Sequence, residues 1–347
     1  MSLTHQGKSM KRIAINGMGR IGKLLLRDLA QRGLLNRVVL VNEPVGDPAQ
    51  LAHLLEFDTV HGRWQADIGH DDEHVIIGKQ KIKVSQHSKI AKIPLQEHQI
   101  DFVIDCSGAF RNQRTLQKYF DANVKKVLVS CPVKEPEAAN IVFGINHDLY
   151  TAKKHRIITA ASCTTNCLAP IVKVLHEAIG ISHGSITTLH NVTNTQTIVD
   201  RPAKDLRRAR SALNSLIPTT TGSATAITLI YPELTGRLNG HAVRVPLLNA
   251  SLTDCVFEMQ KSTTACEVNA LFEKAATGDL AGILGYETRP LVSADYINDP
   301  RSTIIDAMST MVVNDTQVKV YAWYDNEWGY ACRLGDIARM VARFKTQ

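Results

Sequence analysis

The sequence predicts an α/β fold: a doubly wound parallel sheet, followed by a second α+β domain with a mostly antiparallel sheet. Three observations predict it. Short apolar strands alternate with helix-length stretches through the first half of the chain. A Gly-x-Gly-x-x-Gly run, Gly17-Met18-Gly19-Arg20-Ile21-Gly22, joins the first strand to the first helix, the Rossmann arrangement. After Cys163 and one long helix, strand-like runs follow each other with few helices between them. At 347 residues and 44% apolar, the chain has enough apolar surface for two ordinary cores.

The elements follow in order. Lys11–Asn16 reads as a buried strand, and the glycine turn leads to a helix from about Ile21 with a stripe at Ile21, Leu24, Leu25 and Leu29. Val38–Val41 is the second strand. Asp47-Pro48 starts a helix, with Asp as N-cap and Pro at the first position. Val75–Ile77 and Lys81–Val84 form a hairpin around Gly78-Lys79. The strand rhythm continues at Phe102–Asp105, Lys126–Ser130, Ile141–Phe143 and Ile157–Ala160. A helix over about 165–178 carries Leu168, Val172, Leu175 and Ile179 on one face, with Pro170 in its early turns. Strands then read at Ser185–His190, Ala242–Val245, Ser251–Met259, Thr303–Asp306 and Val318–Trp323, before a final helix from Glu327 to Phe344. The expected division is a disordered extension over 1–10, a nucleotide-binding domain over 11–162, a catalytic domain over 163–326 and a C-terminal helix within 327–347.

Composition narrows the function classes. No apolar run reaches the roughly 18–20 residues that span a bilayer, and polar residues 1–10 lack the apolar stretch of a secretory signal. No membrane association is expected, and the expected location is cytoplasmic. Seven irregularly spaced cysteines suit a reducing compartment and include no paired zinc motif, so no metal is expected. The net charge of +7 is spread along the chain, and the densest basic cluster, Lys204–Arg210, contains an Asp. That pattern suits small anionic ligands better than nucleic acid.

Two runs carry chemistry. In Ala161-Ser162-Cys163-Thr164-Thr165-Asn166-Cys167 a cysteine sits where a strand hands over to a helix. Unpaired N–H groups and the dipole at a helix start lower a thiol's pKa. Cys167 reads as a buried helix residue. In the glycine run, the first glycine allows the tight turn, the second lets backbone approach a pyrophosphate and the third lets helix and strand pack. Glu43, after Val38–Asn42, is placed for ribose hydroxyls and would repel a 2′-phosphate, so the expected cofactor is NAD. A nucleophilic thiol also needs a base. His176, thirteen positions along the helix from Cys163, would lie about 20 Å away and cannot serve. His190, at a strand end, can approach through tertiary folding.

Further runs occur in a fixed order: Thr187–Gln196 with His190-Asn191-Val192-Thr193, then Pro218-Thr219-Thr220-Thr221-Gly222, Arg244-Val245-Pro246 and Trp323–Tyr330. Together with the cysteine and glycine runs they resemble the phosphorylating glyceraldehyde-3-phosphate dehydrogenase family over residues 11–347. The resemblance implies that Cys163 is the nucleophile and His190 its base. It implies that Gly17, Gly19, Arg20, Ile21, Gly22, Glu43, Ser130 and Asn326 bind NAD. Thr193 and Arg244 would hold the phosphate of a small phosphorylated aldehyde. Ser162, Thr164, Arg208, Thr221 and Gly222 would hold inorganic phosphate, or arsenate. A homotetramer is implied too, with the final helix packed on the NAD-binding domain. Several positions depart from the family pattern: Glu43, Thr195, Thr225 and Leu247. Asn42-Glu43 and Ala52–Leu55 are also similar to erythrose-4-phosphate dehydrogenases, and Phe57–Trp64 to the arsenate-resistance-associated branch. A non-enzymatic, redox-sensing NAD-binding scaffold is the remaining reading. The intact Cys163 and His190 argue against it, because binding alone requires neither.

Overall fold

The computed structural model describes residues 11–343; the expected extension over 1–10 lies outside them. The chain forms two compact units. One comprises the described residues through Asn140, Tyr150–Ala160, and those from Leu334 onward. The other comprises Ile141–Leu149 and Ala161–Arg333.

In the first unit the elements are β1 (Ile13–Asn16), α1 (Arg20–Gln31), β2 (Val38–Asn42), α2 (Pro48–Glu56), β3 (Ile68–His70), β4 (His74–Ile77), β5 (Gln80–Ser85), β6 (Phe102–Asp105), α3 (Gln113–Asp121), β7 (Lys126–Val129), β8 (Ala138–Asn140) and β9 (Ile157–Thr159). They build one sheet in the order β3-β4-β5-β2-β1-β6-β7-β9-β8. All pairings from β5 to β8 are parallel, and β3 and β4 add an antiparallel edge. β1 lies between β2 and β6, the point where strand order reverses and where such sheets receive ligands at their carboxyl ends.

Local chemistry explains the boundaries. Asp47 caps α2 in a reciprocal box: Gln50 N donates to Asp47 Oδ1 at 2.8 Å and Asp47 N donates to Gln50 Oε1 at 3.2 Å. Gly78, at φ +57°, turns the β4–β5 hairpin. Ile141–Phe143, expected as a strand, is not one. The preceding Ala138–Asn140 pairs with β9 instead. Val142 is apolar because it is buried in the core of the second unit, and its N–H donates to Asn146 Oδ1 at 2.7 Å.

The second unit contains α4 (Cys163–Ala178), β10 (Ile181–His190), β11 (Ile217–Thr220), α5 (Ser223–Ile227), β12 (Leu238–Arg244), β13 (Ser251–Met259), α6 (Ala265–Thr277), β14 (Leu284–Glu287), β15 (Thr303–Val313) and β16 (Gln317–Tyr324). Helix α7 (Trp328–Arg343) begins here, and its residues from Leu334 belong to the first unit. The sheet order is β11-β12-β10-β13-β16-β15-β14. β10–β12 and β14–β15 are parallel and the other neighbours antiparallel. The apolar face of α4 (Leu168, Ile171, Val172 and Leu175) shares one buried cluster with Phe257, Phe272, Val318 and Val320. Burial of such side chains stabilises by about 1.5–3 kcal/mol each. Helix α6 is absent from the periodicity reading, although Thr264 and Glu267 spell its capping box.

Candidate active site

The turn into α4 presents the cysteine. Ala161 takes a left-handed φ of +52°, a conformation that costs an L residue about 1–2 kcal/mol. Tyr330 Oη donates to its carbonyl at 3.1 Å. Ser162 is the N-cap: its Oγ accepts from Thr165 N at 3.1 Å and lies 2.7 Å from Thr165 Oγ1. Cys163 is therefore the first residue of a 16-residue helix, and its sulfur draws on the backbone N–H groups of Cys163 and Thr164. Pro170, inside the helix, removes the bond it would have given the Asn166 carbonyl.

His190, the last residue of β10, is buried. Its Nε2 lies 3.7 Å from Cys163 Sγ. Its Nδ1 lies 2.9 Å from the Asn191 carbonyl oxygen and 2.6 Å from Arg244 Nη1. Arg244 Nη1 also donates to the Asn191 oxygen at 3.0 Å. The two contacts at Nδ1 require opposite tautomers. With Nδ1–H donating to Asn191, Nε2 offers the thiol a lone pair; with Nδ1 accepting from the guanidinium, Nε2 carries the proton. Burial, reinforced by the Arg244 charge, pushes the His190 pKa down to about 4. Burial pushes the Cys163 thiol up, while the Thr164 hydroxyl, the Arg244 charge and the helix N–H groups pull it down. Both groups are neutral in the resting site near pH 7. His176 is held on the surface by Glu233 at 3.1 Å, and Cys167 is buried against the hydroxyls of Thr253 and Thr303.

The expected anion-binding residues fall into several separate hydrogen-bonded sets. Near His190, Arg244 has its Nε buried without a hydrogen-bond partner, so one face of the guanidinium has donor capacity to spare. Thr193 Oγ1 donates to Gln196 Oε1 at 3.1 Å and lies 3.0 Å from Thr195 Oγ1. Arg208 donates to Thr195 Oγ1 at 3.2 Å and lies 3.4 Å from Asp205. Thr195, a departure from the family pattern, thus bridges Thr193 and Arg208. Thr221 is turned onto Ser223 Oγ at 3.0 Å, and Gly222 caps the short α5. Thr164 Oγ1 lies 3.0 Å from Tyr324 Oη, and Ser162 is committed to its cap. Sequence reading missed Tyr324. It is buried, touches Thr164 and sets its ring edge-on to His190 at 6.3 Å. The alternation Tyr324-Asp325-Asn326 gives no sign of that role. Asn326 Oδ1 is a buried acceptor with no hydrogen-bond partner, which suits an amide donor.

The first unit supplies the dinucleotide turn. Gly17 has φ +92°, and a Cβ there would lie 2.5 Å from Ser107 N. A Cβ on Gly22 would lie 2.0 Å from Gly17 O. Gly19 is the N-cap of α1 with no side chain to satisfy the helix N–H groups, which leaves them for an anion. Ile21 is in the first turn. Arg20 is clamped by Asp58, with Nη2 3.0 Å from Oδ1, so its backbone rather than its guanidinium faces that role. Glu43 accepts from Met18 N at 2.8 Å and from Val45 N at 3.4 Å, which fixes it beside the turn. A groove of about 770 Å³ is lined there by Gly19, Glu43, Gly46, Leu51 and His53. Ser130 N donates to Asp105 O at 2.9 Å, and its hydroxyl is bonded to Cys106. These residues fit a dinucleotide. Among the described residues no group of three or more His, Cys, Asp or Glu side chains could hold a metal ion, and no helix is long and apolar enough to cross a membrane.

Two family models match the chain. The glyceraldehyde 3-phosphate dehydrogenase NAD binding domain matches residues 11–113, and the C-terminal domain of the same family matches residues 162–326. Glyceraldehyde-3-phosphate dehydrogenase 3 of Nostoc sp. is 58% identical over 332 residues, covering 95% of this chain and 98% of that protein. Glyceraldehyde-3-phosphate dehydrogenase 1 of Bacillus subtilis is 46% identical, covering 96% of this chain and 98% of its own. The Geobacillus stearothermophilus glyceraldehyde-3-phosphate dehydrogenase is also 46% identical, with coverages of 95% and 98%.

Proposed function

The chain belongs to the glyceraldehyde 3-phosphate dehydrogenase family and is an NAD-dependent oxidoreductase of that kind, and we propose that it oxidises D-glyceraldehyde 3-phosphate to 1,3-bisphosphoglycerate with inorganic phosphate, through Cys163 and His190. The observation that carries this is the Cys163 Sγ–His190 Nε2 approach of 3.7 Å at the start of α4.

Cys163 sulfur attacks the aldehyde carbon as its thiol proton passes through Nε2 of His190 to the carbonyl oxygen; the oxyanion that develops meets the helix N–H groups and becomes the hemithioacetal hydroxyl. Nε2 of His190 takes the hydroxyl proton as hydride departs, leaving a thioacyl group on Cys163. NAD supplies the hydride acceptor; the glycine turn, Glu43, Ser130 and Asn326 are the residues that would hold it. Phosphate then attacks the thioester, and Cys163 leaves as thiolate and is reprotonated. Arg244 and Thr193 hold the substrate phosphate; Arg208, Thr221, Gly222, Ser162 and Thr164 line the acceptor side. An anion that draws Arg244 off Nδ1 lets Nδ1–H settle on the Asn191 carbonyl, which leaves Nε2 as the acceptor the reaction needs. Replacing Arg244 with leucine should raise KM for the phosphorylated aldehyde about a hundredfold, with a smaller change in kcat. Steady-state kinetics over substrate concentration would show it, and an unchanged KM would place the substrate phosphate elsewhere.

Homotetramer formation and a cytoplasmic location belong to the same reading. Ile198, Val199, Leu206, Leu213 and Leu216 are exposed on the 191–217 stretch, as expected of a surface that a second copy covers. Arsenate is a tetrahedral oxyanion like phosphate, so the same donors accept it. The direct test is NADH formation from D-glyceraldehyde 3-phosphate and NAD with phosphate, with arsenate and with neither. Phosphate-dependent turnover is expected. No turnover with either acceptor, together with activity on D-erythrose 4-phosphate, would overturn the substrate assignment.

A further inference from the structure

Four neighbouring parallel strands, β5, β2, β1 and β6, each end in a polar residue: Ser85, Asn42, Asn16 and Asp105. All four are buried, Asp105 to 1% exposure. Their side chains are joined. Ser85 Oγ donates to Asn42 Oδ1 at 2.8 Å, and Asn42 Nδ2 donates to Asn16 Oδ1 at 2.7 Å. Asn16 Nδ2 donates to Tyr119 Oη at 2.6 Å and to Asp105 Oδ2 at 3.3 Å. Tyr119 Oη donates to Asp105 Oδ2 at 2.5 Å. The other carboxylate oxygen, Oδ1, accepts from Ser107 N at 3.0 Å and Ser107 Oγ at 2.7 Å.

Apolar side chains would close these strand ends without the desolvation cost of an acid and two amides. What the polar row adds is position. The backbone of Ser107 lies hard against the missing Cβ of Gly17. Gly17 N donates to Asn42 O at 2.8 Å, and Cys106 N donates to Asn16 O at 2.7 Å. Asn42 also takes the backbone of His87, with His87 N on its Oδ1 at 3.0 Å. The turn, the 106–109 loop and the strand end before Glu43 are therefore tied to one row of hydrogen bonds, with Asp105 as its terminal acceptor.

We propose that Asp105 is a positioning residue for the dinucleotide: through Ser107 it sets the loop that backs the Gly17 turn, and through Asn16 and Asn42 it holds that turn in register with Glu43. This rests on the glycine turn being the NAD site. Asp105→Asn keeps the shape but puts an amide donor against either Ser107 or Tyr119, both of which donate. NAD affinity, measured by fluorescence titration of the full chain, is expected to fall about tenfold. KM for NAD should rise with it, while kcat at saturating NAD changes less than about twofold. Tyr119→Phe removes one hydroxyl, leaves Asn16 on the carboxylate and should weaken NAD about threefold. A purely structural role would lower the melting temperature and leave NAD affinity of the folded protein unchanged; that result in Tyr119→Phe, or in both variants, overturns the proposal. Should Asp105→Asn fail to fold, Tyr119→Phe decides alone. Wild-type protein that oxidises its aldehyde with NAD beside variants of unaltered affinity sinks only this inference. Wild-type protein that does not bind NAD sinks the proposed function as well.

Discussion

Cys163→Ser is expected to lower turnover by at least about 10³-fold while NAD affinity stays within about threefold. The substitution is close to isosteric, and the cap that builds the site does not involve the sulfur: Ser162 Oγ still accepts from Thr165 N. What is lost is nucleophilicity. The thiol is pushed up by burial, and the Thr164 hydroxyl, the Arg244 charge and two backbone N–H groups act against that shift by favouring the anion. A serine hydroxyl titrates far higher, and His190, held down at about 4, is too weak a base to make it an alkoxide. NAD affinity is spared because the glycine turn, Glu43 and Ser130, which would supply most of the NAD contacts, belong to a different unit of the chain from Cys163. Steady-state NADH formation and a fluorescence titration with NAD check the two halves. Activity within tenfold of wild type would remove Cys163 from the nucleophile's role.

How far the sequence reaches depends on whether a feature is local. The glycine turn, the Asp47 cap and the start of α4 are written in consecutive residues, and each is recovered in the structure within two or three positions. The approach of His190 to Cys163 joins residues 27 apart, and it was selected in advance by helix geometry, which rules out His176, together with the family resemblance. Three features had no such aid. Arg244 was expected to serve a phosphate, yet its contact with His190 Nδ1 depends on the parallel register His190↔Arg244 between β10 and β12. Tyr324 comes from β16, beyond β13 in the sheet order. Glu43 was placed for ribose hydroxyls, and the structure shows its carboxylate also engaged by Met18 N–H, a contact made only when the turn folds back. Ile141–Phe143 misleads for the opposite reason. Apolar composition marks burial, and burial in a core does not require ladder pairing.

His190→Asn is expected to cost about 10²–10⁴-fold in turnover and, separately, to flatten the acid side of the stability profile. Asparagine can still donate to a neighbouring carbonyl, but it offers no nitrogen that takes a proton as hydride departs. The stability effect follows from the depressed pKa. In the unfolded chain this histidine protonates below about 6.5, whereas the buried imidazole beside Arg244 resists until about 4. Between those values the unfolded state binds more protons, so native stability falls as pH falls through this window. The contribution is fully present above about pH 6.5, and about 2 kcal/mol of it is gone by pH 5. The asparagine variant lacks this proton uptake and should lose correspondingly less stability between pH 7 and pH 5. Urea midpoints for both proteins at the two pH values give the comparison. Equal acid losses would mean that His190 is not held neutral by burial and Arg244. Near-wild-type turnover in the same variant would remove it as the base. The two readouts are independent, because the first concerns the resting imidazole and the second the one that Arg244 has released to an incoming anion.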